Sequence, residues 1–458
     1  MSPSLHSPLT LPISQRIVPN RLSKAAMTES LADPNVSQPN ERHFTLYSQW
    51  KGCGIVQSGN VMVDRFHREN TRNVVLDESS DLKAFRQWAD VIHDNIPHNN
   101  NSIGSNNDDK PLAILQISHP GRQCPMACAG PLKITPVAPT SGLQARLALP
   151  GLLGKILGYL FIPPARALAA EEISTIVGRF ATTAQLAERA GWDGVIIHAA
   201  HGYLLSQFLS PTANKRTDEY GGSRENRRSL VRKVIVAIRE ATACNFVVGV
   251  KINSKDRSMD GTEREDECLE LIRNLSNLGQ LDFVELSGGS FEDAMFVTKD
   301  CSAKSKALFE TFAERVQKEV SEERNADSSI NSPKIILTGG FRTKVRMEEA
   351  LKSGVCDMIG MGRPMIVNPR FAQELLSCDD KKRTECESTC ATLTVPIFKK
   401  LLDAPLNSLW YQRQLHRIAV GRAPDPGLSY LLTLIVTFFK AYIMDFRFTG
   451  NVCCKKRD

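Results

Sequence analysis

The chain has 458 residues, of which 42% are hydrophobic and 23% are charged, a composition typical of globular proteins. Its length excludes a small disulfide-stapled scaffold, and its composition excludes extensive disorder and a collagen-like structure. The formal charge of +7, from 57 Lys and Arg against 50 Asp and Glu, is a mild excess that predicts no nucleic-acid partner.

The 12 cysteines are scattered along the chain and lack the CxxC repeats that zinc and iron–sulfur sites show. We therefore predict no structural metal. The first 15 residues have neither a basic segment nor an apolar core followed by a cleavage site, so no secretory signal is expected. Reduced thiols and a cytoplasmic location are the corresponding expectations.

Short apolar runs alternate with segments of helical periodicity from about residue 17 to about residue 376. Continuous apolar runs are typical of parallel strands buried on both faces. They lie at residues 54–63, 112–117, 194–197, 246–252, 283–286, 335–337 and 358–361. The helical period is clearest at 171–190, 229–242 and 263–278. About seven or eight β/α units predict an α/β fold, a closed (β/α)₈ TIM barrel, rather than an open doubly wound sheet.

Three segments interrupt this repeat. Residues 95–110 and 320–333 are rich in polar residues and are expected to be solvated loops. Residues 142–167 are apolar with Gly and Pro, which favours an excursion that caps one mouth of the barrel.

The pattern changes from about residue 395. We predict a barrel domain over residues 1–380 and a C-terminal helical extension over 381–458, with an apolar helix at about 428–446. That segment just reaches the length that spans a bilayer, and a lysine near one end can extend to the interface. Two interpretations stay open: a helix packed on the barrel or lying at an interface, and a membrane anchor.

Two histidines and a tyrosine follow the buried strand at 194–197, in the order His198-Ala-Ala-His201-Gly-Tyr203. The carboxyl ends of barrel strands face the active site, so these side chains are expected to point toward a ligand. Two imidazoles can donate to one carbonyl or phenolate oxygen, and a phenol can deliver a proton to a neighbouring carbon. A zinc site is the less favoured interpretation, because no third ligand follows at a ligand spacing.

These residues carry a resemblance to a known family. The His198–Tyr203 block continues into Phe-Leu-Ser-Pro at 208–211, Arg-Thr-Asp-Glu-Tyr-Gly-Gly-Ser at 216–223 and Glu-Asn-Arg at 225–227. Over about residues 11–376 the chain resembles the Old Yellow Enzyme family of FMN-dependent NAD(P)H oxidoreductases. Supporting motifs occur in family order at 19–21, 26–28, 116–123, 250–253, 285–289, 338–343 and 360–364.

The resemblance implies that FMN is the cofactor. Its phosphate would lie at the ends of the last two strands, where backbone N–H groups and a guanidinium can hold a dianion. The residues implied there are Gly339, Gly340, Gly362 and Arg363.

The resemblance also implies residues around the flavin ring. Lys251 would place a cation at the N1–O2 edge, where negative charge accumulates on reduction. Gln116 would bond the pyrimidine edge and Thr28 would donate to O4 or N5. The residues implied to line the ring are Ala25, Ala26, Met27 and Asn60. Ala26 stands where the family commonly has proline.

The implied reaction uses NAD(P)H as co-substrate and a small-molecule enone as the second substrate. NAD(P)H reduces the flavin, and the activated C=C bond of an α,β-unsaturated carbonyl compound then receives the hydride. His198 and His201 would bond the carbonyl oxygen, and Tyr203 would protonate the α-carbon. An oxidative flavoprotein on the same barrel, a dehydrogenase or oxidase, is the alternative. The choice between NADH and NADPH and association into homo-oligomers stay open.

Overall fold

Eight parallel strands form a closed barrel in this computed structural model, which describes residues 3–94, 110–125, 135–143, 163–253, 261–287, 315–318, 332–377, 403–429 and 433. We number the barrel strands β1 (Leu22–Lys24), β2 (Ile55–Met62), β3 (Leu112–Ser118), β4 (Gly194–Ala199), β5 (Val247–Asn253), β6 (Phe283–Ser287), β7 (Lys334–Thr338) and β8 (Met358–Met361). Each strand pairs with the next, and β8 pairs with β1, which closes the ring.

The predicted TIM barrel is confirmed, and seven of its strands coincide with the apolar runs. β1 is not among the strands predicted from the sequence. Its three residues, Leu-Ser-Lys, are too few and too polar to form an apolar run, although all three are buried. Only the pairing of β1 with β2 and β8 shows that it completes the ring.

Helices cover the outside of the barrel. They span Glu41–Tyr47, Leu82–His93, Ala170–Arg189, Leu204–Leu209, Arg224–Ala241, Gly261–Ser276, Lys344–Lys352, Arg363–Val367, Phe371–Ser377 and Asp403–Ile418. The helix expected at 229–242 begins earlier, at Arg224, because the Ser223 hydroxyl caps it by accepting the backbone N–H of Asn226. Because its first turn is polar, the apolar periodicity does not extend to this start.

The amino-terminal mouth of the barrel is closed by two short antiparallel strands, Leu9–Thr10 and Ile17–Val18. Leu9 and Val18 of these strands join an interior cluster with residues from the beginnings of the barrel strands. In this cluster the Phe283 ring fills the space beside Gly249, where an added Cβ would lie 2.3 Å from the ring. The packed bottom leaves the carboxyl ends of the strands for chemistry.

Several expectations fall wholly or largely outside the described residues. They concern the loops at 95–110 and 320–333, most of the excursion at 142–167, and most of the apolar segment at 428–446. On the two sides of the excursion, Val137–Ala138 pairs in parallel with Arg166–Ala167. Within the described ranges, no helix combines the length and apolar character needed to cross a membrane.

The helix Asp403–Ile418 of the extension packs against the barrel. Gln412 Nε2 donates to Ser30 Oγ at 2.8 Å, and His416 Nε2 lies 2.9 Å from the carbonyl oxygen of Glu29. Trp410 is buried and its indole donates to the carbonyl of Leu428. The extension therefore supports the loop that follows β1.

Candidate active site

The turn after β4 places His198 and His201 side by side at the carboxyl end of the barrel. His201 has φ +58°, a conformation uncommon for a residue with a side chain, and Gly202 continues at +74°. The turn is fixed by its neighbours, because the His201 N–H donates to Asn253 Oδ1 at 3.1 Å and its carbonyl accepts from Gln123 at 3.1 Å. Strained backbone held by such contacts is typical of functional sites.

The two imidazoles form a directed chain of hydrogen bonds. His198 Nε2 lies 3.0 Å from His201 Nδ1, and His198 Nδ1 lies 2.9 Å from Asn60 Oδ1. The Asn60 oxygen accepts, so His198 carries its proton on Nδ1 and His201 donates its own Nδ1–H to His198. His201 Nε2 then accepts from the Ser287 hydroxyl at 3.1 Å.

Burial keeps both rings neutral. It lowers the pKa of His201 to about 3 and, together with the charge of Lys251, holds the pKa of His198 well below its usual value. As neutral rings, the two imidazoles can donate hydrogen bonds to a ligand oxygen but do not act as acids. In the observed arrangement they bond each other, so an oxygen that accepts from both would have to displace their mutual contact.

Glu69, which is not among the candidates predicted from the sequence, links several of them by hydrogen bonds. Its Oε2 accepts the hydroxyl proton of Tyr203, and its Oε1 accepts from Thr28 Oγ1 at 3.0 Å. The amide of Asn60 donates to both oxygens at 3.2 Å. Burial, the charge of Glu69 and its hydrogen bond raise the pKa of Tyr203 well above 10. The Tyr203 ring lies 4.6 Å from that of His198.

Asn60 reaches this network because β2 is irregular. The register of β2 against β3 shifts between Gln57 and Asn60, which turns Asn60 toward Gln116 on the neighbouring strand. Gln116 Nε2 donates to Asn60 Oδ1 at 2.6 Å, whereas the buried Gln116 Oε1 has no hydrogen-bond partner within the described residues. The apolar run at 54–63 gave no sign of this shift.

Lys251 lies beside His198 in the pairing of β5 with β4, and beside Glu285 in the pairing with β6. Its ammonium lies 2.9 Å from Glu285 Oε1, and both side chains are almost fully buried. Glu285 also accepts from Thr338 at 2.8 Å and from Gln57 at 2.6 Å. Lys251 is therefore a buried cation paired with a buried carboxylate.

The remaining candidates lie at the ends of β1, β7 and β8. Gly339 and Gly340 follow β7 with φ of +131° and +82°, which L side chains rarely adopt. A Cβ on Gly362 would lie 3.7 Å from the Met27 sulfur, so the two loops approach each other. The backbone N–H of Ala26 donates to Gln57 Oε1 at 3.2 Å. Arg363 begins a short helix, is half-buried, and its guanidinium bonds none of the described residues.

A family model described as NADH:flavin oxidoreductase / NADH oxidase matches residues 4–378. The chain belongs to this family. It is 34% identical to the NADH-dependent flavin oxidoreductase iliE of Neonectria sp. (strain DH2) over 424 residues, which cover 89% of this chain and 51% of that protein. It is also 34% identical to the iliE protein of Hypocrea jecorina (strain QM6a) over 442 residues, covering 92% and 98%. The chain thus spans about half of the Neonectria protein and nearly all of the Hypocrea protein.

A solved structure shares the fold of this chain. The Old Yellow Enzyme homologue from Zymomonas mobilis superposes with a TM-score of 0.64 at 23% identity, covering 87% of this chain and 99% of that one. The family is the Old Yellow Enzyme family, and its members are FMN-dependent NAD(P)H oxidoreductases. The expected enzyme class and cofactor are therefore confirmed.

The residues of this Old Yellow Enzyme family member fit FMN. The unpartnered Gln116 Oε1 is a buried acceptor of the kind that the N3–H of a flavin needs. The Arg363 guanidinium and the two glycines of positive φ offer a charge and close backbone approach for a phosphate. When bound, FMN supplies hydride transfer between NAD(P)H and a second substrate.

Three side chains of the kinds that can bind a metal ion also lie close together. Atoms of Asp64, His67 and His119 lie within 4.8 Å of one another. The Asp64 carboxylate already pairs with Arg179 and lies 2.7 Å from His67 Nδ1. His119 Nδ1 accepts the N–H of Gly121, and burial lowers the pKa of His119 to about 4, so its Nε2 carries the proton. This protonated nitrogen and the arginine favour a structural role.

Proposed function

We propose that this enzyme reduces the activated C=C bond of an α,β-unsaturated carbonyl compound. One observation carries the proposal: His198, His201 and Tyr203 lie in a single hydrogen-bonded network at the carboxyl end of the barrel, beside the buried Lys251. Donors for a developing oxyanion and a proton donor for carbon are thereby placed together.

The histidines would bind the carbonyl oxygen of the substrate. An oxygen that enters between the rings takes the Nδ1–H of His201 from His198. His198 can donate a second hydrogen bond to that oxygen only when its proton is on Nε2. Its Nδ1 is then an acceptor, and the Ser118 hydroxyl, 3.5 Å away, is placed to donate to it. Both bonds stabilise the enolate-like charge that develops during hydride transfer.

Tyr203 would deliver the proton to the α-carbon. Its high pKa keeps it a phenol at neutral pH, so it has a proton to give. Lys251 would face the N1–O2 edge of FMN, Gln116 its pyrimidine edge, and Ala26, Met27, Thr28 and Asn60 would line the ring. Gly339, Gly340, Gly362 and Arg363 would hold the phosphate. We also propose residues 1–380 as the FMN-binding domain and 381–458 as an extension, a division supported by the family match ending at residue 378.

The test separates the two half-reactions. The holoenzyme is reduced anaerobically with NADH and mixed with 2-cyclohexenone in a stopped-flow instrument, and flavin reoxidation is followed. Tyr203→Phe is expected to slow reoxidation by about 10²-fold, the usual contribution of a general acid, and to leave flavin reduction by NADH nearly unchanged. Equal slowing of both steps would contradict the proton-donor role, and no reoxidation of the unaltered enzyme by any enone would favour an oxidative activity.

A further inference from the structure

The loop after β2 places a carboxylate directly behind the phenol that the proposed function uses. Tyr203 donates its hydroxyl proton to Glu69, so that proton points toward the carboxylate. Glu69 is fixed in place by Thr28, Asn60 and Asn73, each of which donates to it at 3.0 to 3.2 Å. A phenol held in this way can lose its proton to the carboxylate at the moment it gains another.

The hydrogen bond from Tyr203 to Glu69 allows Tyr203 to act as a base although its phenolate is scarce. The pKa of Tyr203 is raised well above 10 by burial and by Glu69, so its phenolate is scarce at neutral pH. A neutral phenol can still accept a proton if its own leaves in the same step. Glu69 is the group that receives it, and since its side chain is only half-buried it can return the proton to water.

We propose that Tyr203 and Glu69 form a proton relay that exchanges the hydrogen on the carbon α to a bound carbonyl, without hydride transfer. The inference rests on the proposed function, because it uses the same position of the carbonyl between His198 and His201. It adds an activity that the reduction itself does not require.

The step balances in atoms and charge. The α-C–H proton passes to the Tyr203 oxygen while the hydroxyl proton of Tyr203 passes to Glu69. The C–H electron pair forms the enolate, whose oxygen is held by the histidines. One negative charge moves from Glu69 to the enolate, and nothing is oxidised or reduced. The reverse step returns a proton that has exchanged with solvent.

The experiment uses the oxidised holoenzyme without NAD(P)H. It is incubated in D₂O with cyclohexanone, and deuterium at the α-carbons is measured by proton NMR against buffer alone. The enzyme is expected to exchange these hydrogens above the buffer rate, and Glu69→Gln and Tyr203→Phe are each expected to lower the excess rate by about 10²-fold. Glu69→Asp, which keeps the carboxylate, is expected to recover part of the activity.

A matched control is Glu78→Gln, the same change at an exposed carboxylate farther along the same connection. It is expected to exchange at the full rate. FMN absorbance checks that each variant is folded and loaded. In flavin-free protein labelled with [¹³Cζ]tyrosine, Glu69→Gln is expected to lower the pKa of Tyr203, because a charge beside the phenol is removed; an unchanged pKa would contradict the coupling.

Enone reduction by the same proteins distinguishes the two proposals. An enzyme that reduces 2-cyclohexenone but exchanges no deuterium would overturn the relay and leave the proposed function standing. Exchange by Glu69→Gln at the full rate would also overturn the relay. Exchange that depends on Glu69 in an enzyme that reduces no enone would support the relay and overturn the proposed reduction.

Discussion

The buried pair of Lys251 and Glu285 gives a quantitative test of how the barrel interior holds its charges. Glu285→Gln removes the counter-charge of an ammonium whose side chain is only 4% exposed. All three groups around Glu285 donate to it, at 2.6 to 2.9 Å, so the new amide must turn its own N–H₂ toward a donor. Breaking such a pair costs about 3–5 kcal/mol, and we expect unfolding to be easier by that amount.

A double-mutant cycle isolates the interaction. Lys251→Met, Glu285→Gln and the double variant are unfolded with urea as flavin-free proteins, so that FMN binding does not contribute. The double variant is expected to lose clearly less stability than the sum of the single losses, because neither charge is then left unpaired.

An exposed ion pair provides the control. Lys233 and Glu219 lie 3.0 Å apart with side chains 45% and 65% exposed. The same cycle with Lys233→Met and Glu219→Gln is expected to show a coupling of about 0–1 kcal/mol. Losses at Lys251 and Glu285 that add within about 0.5 kcal/mol, or a Glu285→Gln loss below about 1 kcal/mol, would refute the reasoning.

Two further predictions concern FMN and pH. Arg363→Ala is expected to weaken FMN binding by about 10- to 100-fold, the value of one charge-assisted hydrogen bond. The affinity is measured by fluorescence titration of flavin-free protein, with Arg370→Ala, a change at an exposed arginine, as the control. Equal affinities for the two variants would contradict the assignment of Arg363 to the phosphate site. Stability in urea is expected to fall as pH drops from about 6.5 toward 4. Burial lowers the pKa values of His43, His119 and His201 to about 3, 4 and 3, so these three imidazoles take up protons in that range mainly in the unfolded chain. Constant stability over the range would contradict their neutrality in the folded protein.

The sequence by itself determined the barrel fold and the kinds of side chain at the carboxyl end of its strands. Parallel strands buried on both faces are apolar throughout, so each continuous apolar run indicated a strand, and the residue types that follow β4 indicated the chemistry. His198, His201 and Tyr203 were identified in this way, whereas Lys251 was implied by the family resemblance. The family motifs then implied FMN, which the family match confirms.

The tertiary structure decided which of these residues contact one another. Glu69 lies in a polar loop with no periodicity, and only the closure of the barrel brings it to Tyr203 and Thr28. The register shift in β2 turns Asn60 toward His198, and that contact sets the proton positions along both histidines. Local sequence reports which residues alternate or repeat, whereas hydrogen bonds between distant strands and loops depend on how the closed barrel positions them.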